Sequence, residues 1–145
     1  MNNDFELLQD IYKNSEMSTF AINKVLEKLE KDSKMVDVLN KELKQYDKYR
    51  KTSKKKLREN KKEPKETNFL AKFSSNFGIT MELLKDNGDK AIADMLIKGI
   101  NMGVKEMKKK IKEYESDIGA EIIALAKDFL TYQQEEVKKL KEYLA

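Results

Sequence analysis

The chain has no cysteine, no histidine and no tryptophan, only one proline, and five glycines. Each shortage narrows what the protein can be. Without cysteine there is no disulfide and no thiolate chemistry. Without histidine as well, histidine-based triads, cysteine nucleophiles and His/Cys zinc sites are all excluded. No Walker-type or dinucleotide-type phosphate loop is present. One proline and few glycines leave few places to break a helix, so the helices should be long. No apolar run approaches the ~18 residues needed to cross a bilayer, and no membrane insertion is expected. The first residues carry neither a basic region nor an apolar core of the secretory type, so a cytoplasmic location is expected.

What remains is an even mixture of apolar and charged residues. The 145 residues are 39% hydrophobic and 39% charged, with 30 basic against 26 acidic side chains and a net charge of +4. That length suits one domain, covering residues 1–145. A chain of this size can bury roughly two-thirds of its unfolded surface. Equal apolar and charged shares suit long amphipathic helices with one buried stripe each. The excess of positive charge is too small to imply nucleic acid by itself.

Apolar residues recur at three- and four-residue steps in five stretches. The first helix is expected over about 4–31, with Leu8, Ile11, Ser15, Ile22, Val25 and Leu29 on one face. Asp32 and Ser33 break it, and Ser33 is the expected N-cap of a second helix over about 34–62. Val36, Leu39, Leu43, Tyr46, Ser53 and Leu57 form its stripe, and Pro64 is expected to end it. So short a break makes the pair an antiparallel hairpin.

Residues 63–88 are too many for a plain loop between neighbouring helices. Phe69, Leu70, Phe73, Phe77, Met81 and Leu84 have helical spacing, which predicts a crossover helix over about 69–85, with a break near Gly78. Asp86, Asn87, Gly88 and Asp89 read as a stop and a start, with Gly88 left-handed and Asp89 the cap. The third long helix is expected over about 90–114, with Ala93, Leu96, Ile100, Gly103, Met107 and Ile111 inward. Ser116 and Asp117 are cap candidates for a fourth over about 118–144, carrying Ile118, Ile122, Leu125, Phe129, Val137, Leu140 and Leu144. The fold class is thus all-α: hairpin, long crossover, hairpin.

A four-helix bundle with one long crossover is the connectivity of ferritin-like folds. Residues 92–103 also resemble the third-helix signature of small ferritin-like proteins from low-GC Gram-positive bacteria. The resemblance implies a ferritin-like bundle from a bacterial host. Di-iron members carry a glutamate on each of two helices and Glu-x-x-His on each of the other two. The matching positions here are Glu16, Glu42, Glu106 and Glu136. Three residues after Glu42 stands Gln45, and three after Glu135 stands Lys138, so both imidazoles are missing. The four glutamates are candidates for an all-carboxylate metal site or for ordinary charged positions on solvated faces.

Other features carry a functional and a plainer reading. Lys51, Lys54, Lys55, Arg58 and Lys62 form a basic ridge, suited to phosphate or anionic lipid, or simply to water near a helix C-terminus. Gly99 and Gly103 permit a close helix contact, or leave room for a ligand beside Met95, Met102 and Met107. Phe69, Phe73 and Phe77 seal the bundle, or form a contact with a protein partner or a second copy. Tyr46, Tyr49, Tyr114 and Tyr132 are expected at core edges.

The leading expectation is a non-catalytic structural or interaction module with no cofactor, acting as a homodimer or with a protein partner. The alternatives are a degenerate carboxylate metal protein or oxidase and, less favoured, a weak binder of nucleic acid or anionic surfaces.

Overall fold

Leu8, Ile11, Ser15, Ile22, Val25 and Leu29 all become buried along one face of the first helix, α1 (Asn2–Lys28), and the turn just after it. The computed structural model describes residues 2–64, 68–84 and 88–144. Four further helices follow: α2 (Met35–Glu59), α3 (Asn68–Leu83), α4 (Asp89–Tyr114) and α5 (Ala120–Lys141). Short 3-10 turns occupy Glu115–Asp117 and Glu142–Leu144, and there is no strand among the described residues. No helix among them is long and apolar enough to cross a membrane.

Cross-helix contacts fix the directions. Arg50 on α2 lies 3.6 Å from Glu16 on α1, while Gln9 near the start of α1 reaches the Glu63 carbonyl just beyond α2 at 2.9 Å. The two helices are therefore antiparallel. Lys110 of α4 meets Asp10 at 2.5 Å and Glu6 at 3.3 Å, and the Asp4 carboxylate accepts the Gly119 amide at 2.9 Å. At the other end Ser33 donates to Asp89 at 2.8 Å. Hence α4 is also antiparallel to α1. On α5, Asp128 accepts from Tyr49 at 2.8 Å and Glu121 pairs with Lys56, so α5 opposes α2.

These pairings make α2 and α4 point the same way. The chain must travel back along the molecule between them, and α3 covers that path. Its 16 residues span about 24 Å at 1.5 Å each. Lys13 sits 5.2 Å over the Phe69 ring, while Phe20 meets Phe73 and Phe77 edge-on at 6.1 and 6.3 Å. So α3 runs parallel to α1 and packs on it.

The core is one continuous cluster drawn from all five helices. Each Leu, Ile or Phe fully withdrawn from water contributes about 1.5–3 kcal/mol. Ser15 and Ser53 are also fully buried, but each hydroxyl donates to a carbonyl of its own helix, at 2.7 and 2.8 Å. Their burial therefore leaves no unpaired donor.

Several helix ends differ from the sequence expectation. Lys34 rather than Ser33 is the N-cap of α2, and Ser33 stands one residue before it, its hydroxyl accepting the Met35 amide at 3.2 Å. Nor is Pro64 what stops α2. The helix closes at Glu59 through a Schellman turn, with Lys61 N–H donating to Arg58 at 2.9 Å and Lys62 N–H to Leu57 at 2.8 Å. Lys61 takes φ 57° there, the one left-handed residue described. Gly88 is not left-handed: it is an extended N-cap at φ −66°, and Asp89 is the first residue of α4 rather than its cap. Asp86 and Asn87 lie outside the described residues. Ser116 and Asp117 fall within the 3-10 turn, and extended Gly119 precedes α5. Helix α3 continues through Gly78 without a break.

A side chain in the left-handed region costs about 1 kcal/mol that glycine avoids. Lys61→Gly should therefore raise the unfolding free energy by about 1 kcal/mol in urea titration. A loss of stability would contradict the turn geometry.

Candidate functional site

The spacing that builds the α2–α5 seam places polar residues inside it. Glu42, Tyr46, Tyr49 and Ser53 follow one another at steps of four, three and four, and Phe129, Gln133, Glu136 and Leu140 do the same. All eight are buried. Periodicity alone thus drives two carboxyl groups, two phenols, a hydroxyl and an amide into a core held by Leu39, Leu57, Val137 and Leu140.

The resulting polar layer is only partly satisfied. Tyr46 Oη donates to Glu136 Oε1, and Gln133 Nε2 donates to Tyr46 Oη at 3.3 Å. Tyr46 is further fixed by edge contacts to Phe129 and Tyr132 at 6.2 and 5.6 Å. Both Glu42 oxygens and Gln133 Oε1 are buried with no donor from another residue. Each such group costs roughly 1–3 kcal/mol when it has no partner.

The charges respond to this setting. Burial first, and then the adjacent Glu136 carboxyl, push Glu42 far above the usual carboxylate range, and only Lys139 opposes them. Burial raises Glu136 too, while its contacts with Glu42 and Tyr46 and the charge of Lys139 hold it back. Glu42 therefore carries a proton at neutral pH, directed at Glu136.

This layer forms the floor of a cleft of about 480 Å³ between α1, α3 and α4. That volume lies within the usual range of small-molecule sites. Met17, Ile22, Phe73, Phe77, Met95 and Ile100 give it apolar walls. The opening follows from side-chain size: Ser18, Ala21, Ala91 and Gly99 line it where larger residues would fill it. A Cβ added at Gly99 would meet nothing within 4 Å. Asp94 and Lys98, paired at 2.9 Å, stand on its α4 side with Met102, which is 70% exposed.

The glycine pair therefore divides. A Cβ at Gly103 would stand 3.1 Å from Asn14 Oδ1, marking a close approach of α1 and α4, whereas Gly99 borders open space. Of the four glutamate candidates, Glu42 and Glu136 come together. Glu16 turns to Arg50 at 3.6 Å. Glu106 is exposed, in a shallow basic groove beside Lys105, Lys108 and Lys109. No three acidic side chains converge on a metal-sized site among the described residues. With two carboxylates together and no imidazole, the donors do not fit the dinuclear centre that the resemblance implies.

The remaining candidates are placed as follows. Lys51, Lys54, Lys55 and Arg58 line a shallow groove on α2. Asp47 takes Lys51 at 2.9 Å, and Glu63 takes Arg58 at 3.8 Å. Lys62 lies beyond the helix, 5.0 Å over the Phe5 ring. Phe73 and Phe77 stack at 5.7 Å and cover Phe20, while Phe69 stays half-buried under Lys13. Tyr46 lies at the centre of the core rather than its edge. Gln133 escaped the sequence reading altogether. Its signal was its place four residues after Phe129 on a buried stripe.

A group that is protonated when folded and ionised when unfolded makes stability fall as pH rises. The raised Glu42 does this from the ordinary carboxylate range upward through neutrality. Glu42→Gln should therefore gain on the wild type between pH 5 and pH 8 in urea titration, by up to about 1 kcal/mol per pH unit. An equal difference at both pH values would show Glu42 to be ionised in the folded protein.

No protein-family model matches the chain, and no match was found among curated proteins or among solved structures.

Proposed function

We propose that the protein is a non-catalytic, ferritin-like four-helix bundle that binds a small, largely apolar ligand in the cleft between α1, α3 and α4. The observation that carries this reading is the cleft itself, about 480 Å³ with apolar walls and a floor of unpaired acceptors. Close-packed cores do not keep voids of this size without a cost, because the lining atoms lose their contacts. A ligand that fills the space restores them. The parallel directions of α2 and α4, with α3 running back between them, support the ferritin-like part of the reading. The resemblance of residues 92–103 and the lack of cysteine support a bacterial cytoplasm.

The reading assigns the protein the role of a binding module. The ring faces of Phe73 and Phe77 are engaged with Phe20 and with each other, which favours sealing the chain's own cleft over a contact with another molecule. Among the ridge cations, Lys51 and Arg58 already have acidic partners, which weakens the case for phosphate.

The neutral fluorophore N-phenyl-1-naphthylamine tests the cleft. Its fluorescence should rise saturably at one site per chain. Gly99→Leu, which extends a side chain into the open space, should weaken that binding at least tenfold while the helical melt persists. Absence of saturable binding, or binding indifferent to Gly99→Leu, would count against the proposal.

A further inference from the structure

The polar floor selects for the chemistry of a ligand's head group. Glu42 is only 5% exposed, lines the cleft, and receives no donor at either oxygen. Gln133, 2% exposed, presents a free Oε1 to the same place, because its nitrogen is turned to Tyr46. With the Glu42 proton directed at Glu136, the other Glu42 oxygen and Gln133 Oε1 are two acceptors that no donor satisfies. Because that proton is so directed, a carboxylate, phosphate or ketone would bring acceptors to a cleft face that already offers acceptors. Primary ammonium offers three donors and no acceptor.

We infer that the cleft takes a primary ammonium ion carried on an apolar body, with the nitrogen on Glu42 and Gln133 and the body along Phe73, Phe77 and Met95. The inference rests on the proposed binding role of the cleft and names the class of its ligand. A hard metal ion would want a fuller shell of oxygens than two carboxylates on an apolar wall provide. An ammonium group instead leaves its carbon chain against that wall, where burial is favourable.

Binding is coupled to a proton. Glu42 enters protonated; to pair with the ammonium it ionises, and its proton passes to solvent while the cation stays. The groups around it set the balance. Glu136, Tyr132 and Lys139 face it from α5, Tyr46 from α2, and Tyr143 from the turn after α5. Asp94 and Lys98 stand on the α4 side, paired to each other. From α1 the lining contributes Asn14 and Ser18, and from α3 Thr80, none of them charged. Affinity should rise with pH across neutrality, until the amine loses its own proton near pH ~10.

The test compares three ligands with one apolar body: n-octylammonium, 1-octanol and octanoate, each displacing N-phenyl-1-naphthylamine from the full chain. Octylammonium should bind at least tenfold tighter than either of the others, with tenfold or near-tenfold gain from pH 6 to pH 7. Calorimetry in buffers of different ionisation enthalpy should register up to one proton released per ligand. Glu42→Gln, which should remain folded by its thermal melt, should bring the preference for ammonium over octanol close to unity and abolish the proton release. Equal binding of octanol or octanoate, or a preference that survives Glu42→Gln, would overturn the head-group assignment while leaving the cleft's binding role intact. Failure of the fluorophore to bind would remove both. Displacement of octylammonium by millimolar Mn²⁺ would assign the oxygens to a metal ion instead and overturn the inference.

Discussion

The contact between Tyr46 and Glu136 joins the two halves of the molecule at their centre. The α1–α2 hairpin and the α4–α5 hairpin are each local products of the sequence. Their mutual placement needs long-range contacts, and the buried phenol on α2 donating to a carboxyl group on α5 is one made wholly inside the core. It works because Tyr46 is held on both sides by Phe129 and Tyr132 and because Gln133 approaches its oxygen. A buried polar network of this kind adds little net stability, since desolvation offsets most of its attraction. It fixes which residues face each other, and thereby where the floor of the cleft lies.

The same layer explains why the cleft has polarity at one end only. Tyr46 donates to Glu136, and no donor is left for Glu42 or the Gln133 oxygen. Helix α3 leans on α1 through Phe73, Phe77 and Phe20 and does not fill the space toward α4. Small residues on α1 and α4 keep that space open. The stability given up in unpaired acceptors and lost packing contacts is concentrated in one place, which is characteristic of sites shaped by function.

The architecture was legible in the sequence to the extent that it depends on period. The stripes of α1, α2, α4 and α5 follow directly from apolar spacing, and residues 63–88 demanded a crossover because a loop of that length is out of place between neighbours. Helix ends were less legible. Lys61 adopts a left-handed conformation without the glycine that would have announced it, and Gly88 declines one that its residue type allows. Half of the site was visible: Glu42 and Glu136 were two of the four glutamates matched to the di-iron pattern. Gln133 did not, because a polar residue on a buried stripe looks like an interruption until its partners are known. Glu16 and Glu106 share the residue type but not the place, and nothing in their spacing predicted that Arg50 would take one and that the other would stay in a basic surface groove. The cleft was the least legible feature. It depends on α3 packing against α1 rather than α4, a property of contacts between elements distant in sequence.

The most direct measurement is a crystal structure of the protein soaked with n-octylammonium. Density for the alkyl chain is expected between Phe73, Phe77 and Met95, with its nitrogen within hydrogen-bond distance of a Glu42 oxygen and of Gln133 Oε1. A closed cleft filled by its own side chains, or an amine bound on the surface with Glu42 untouched, would contradict it.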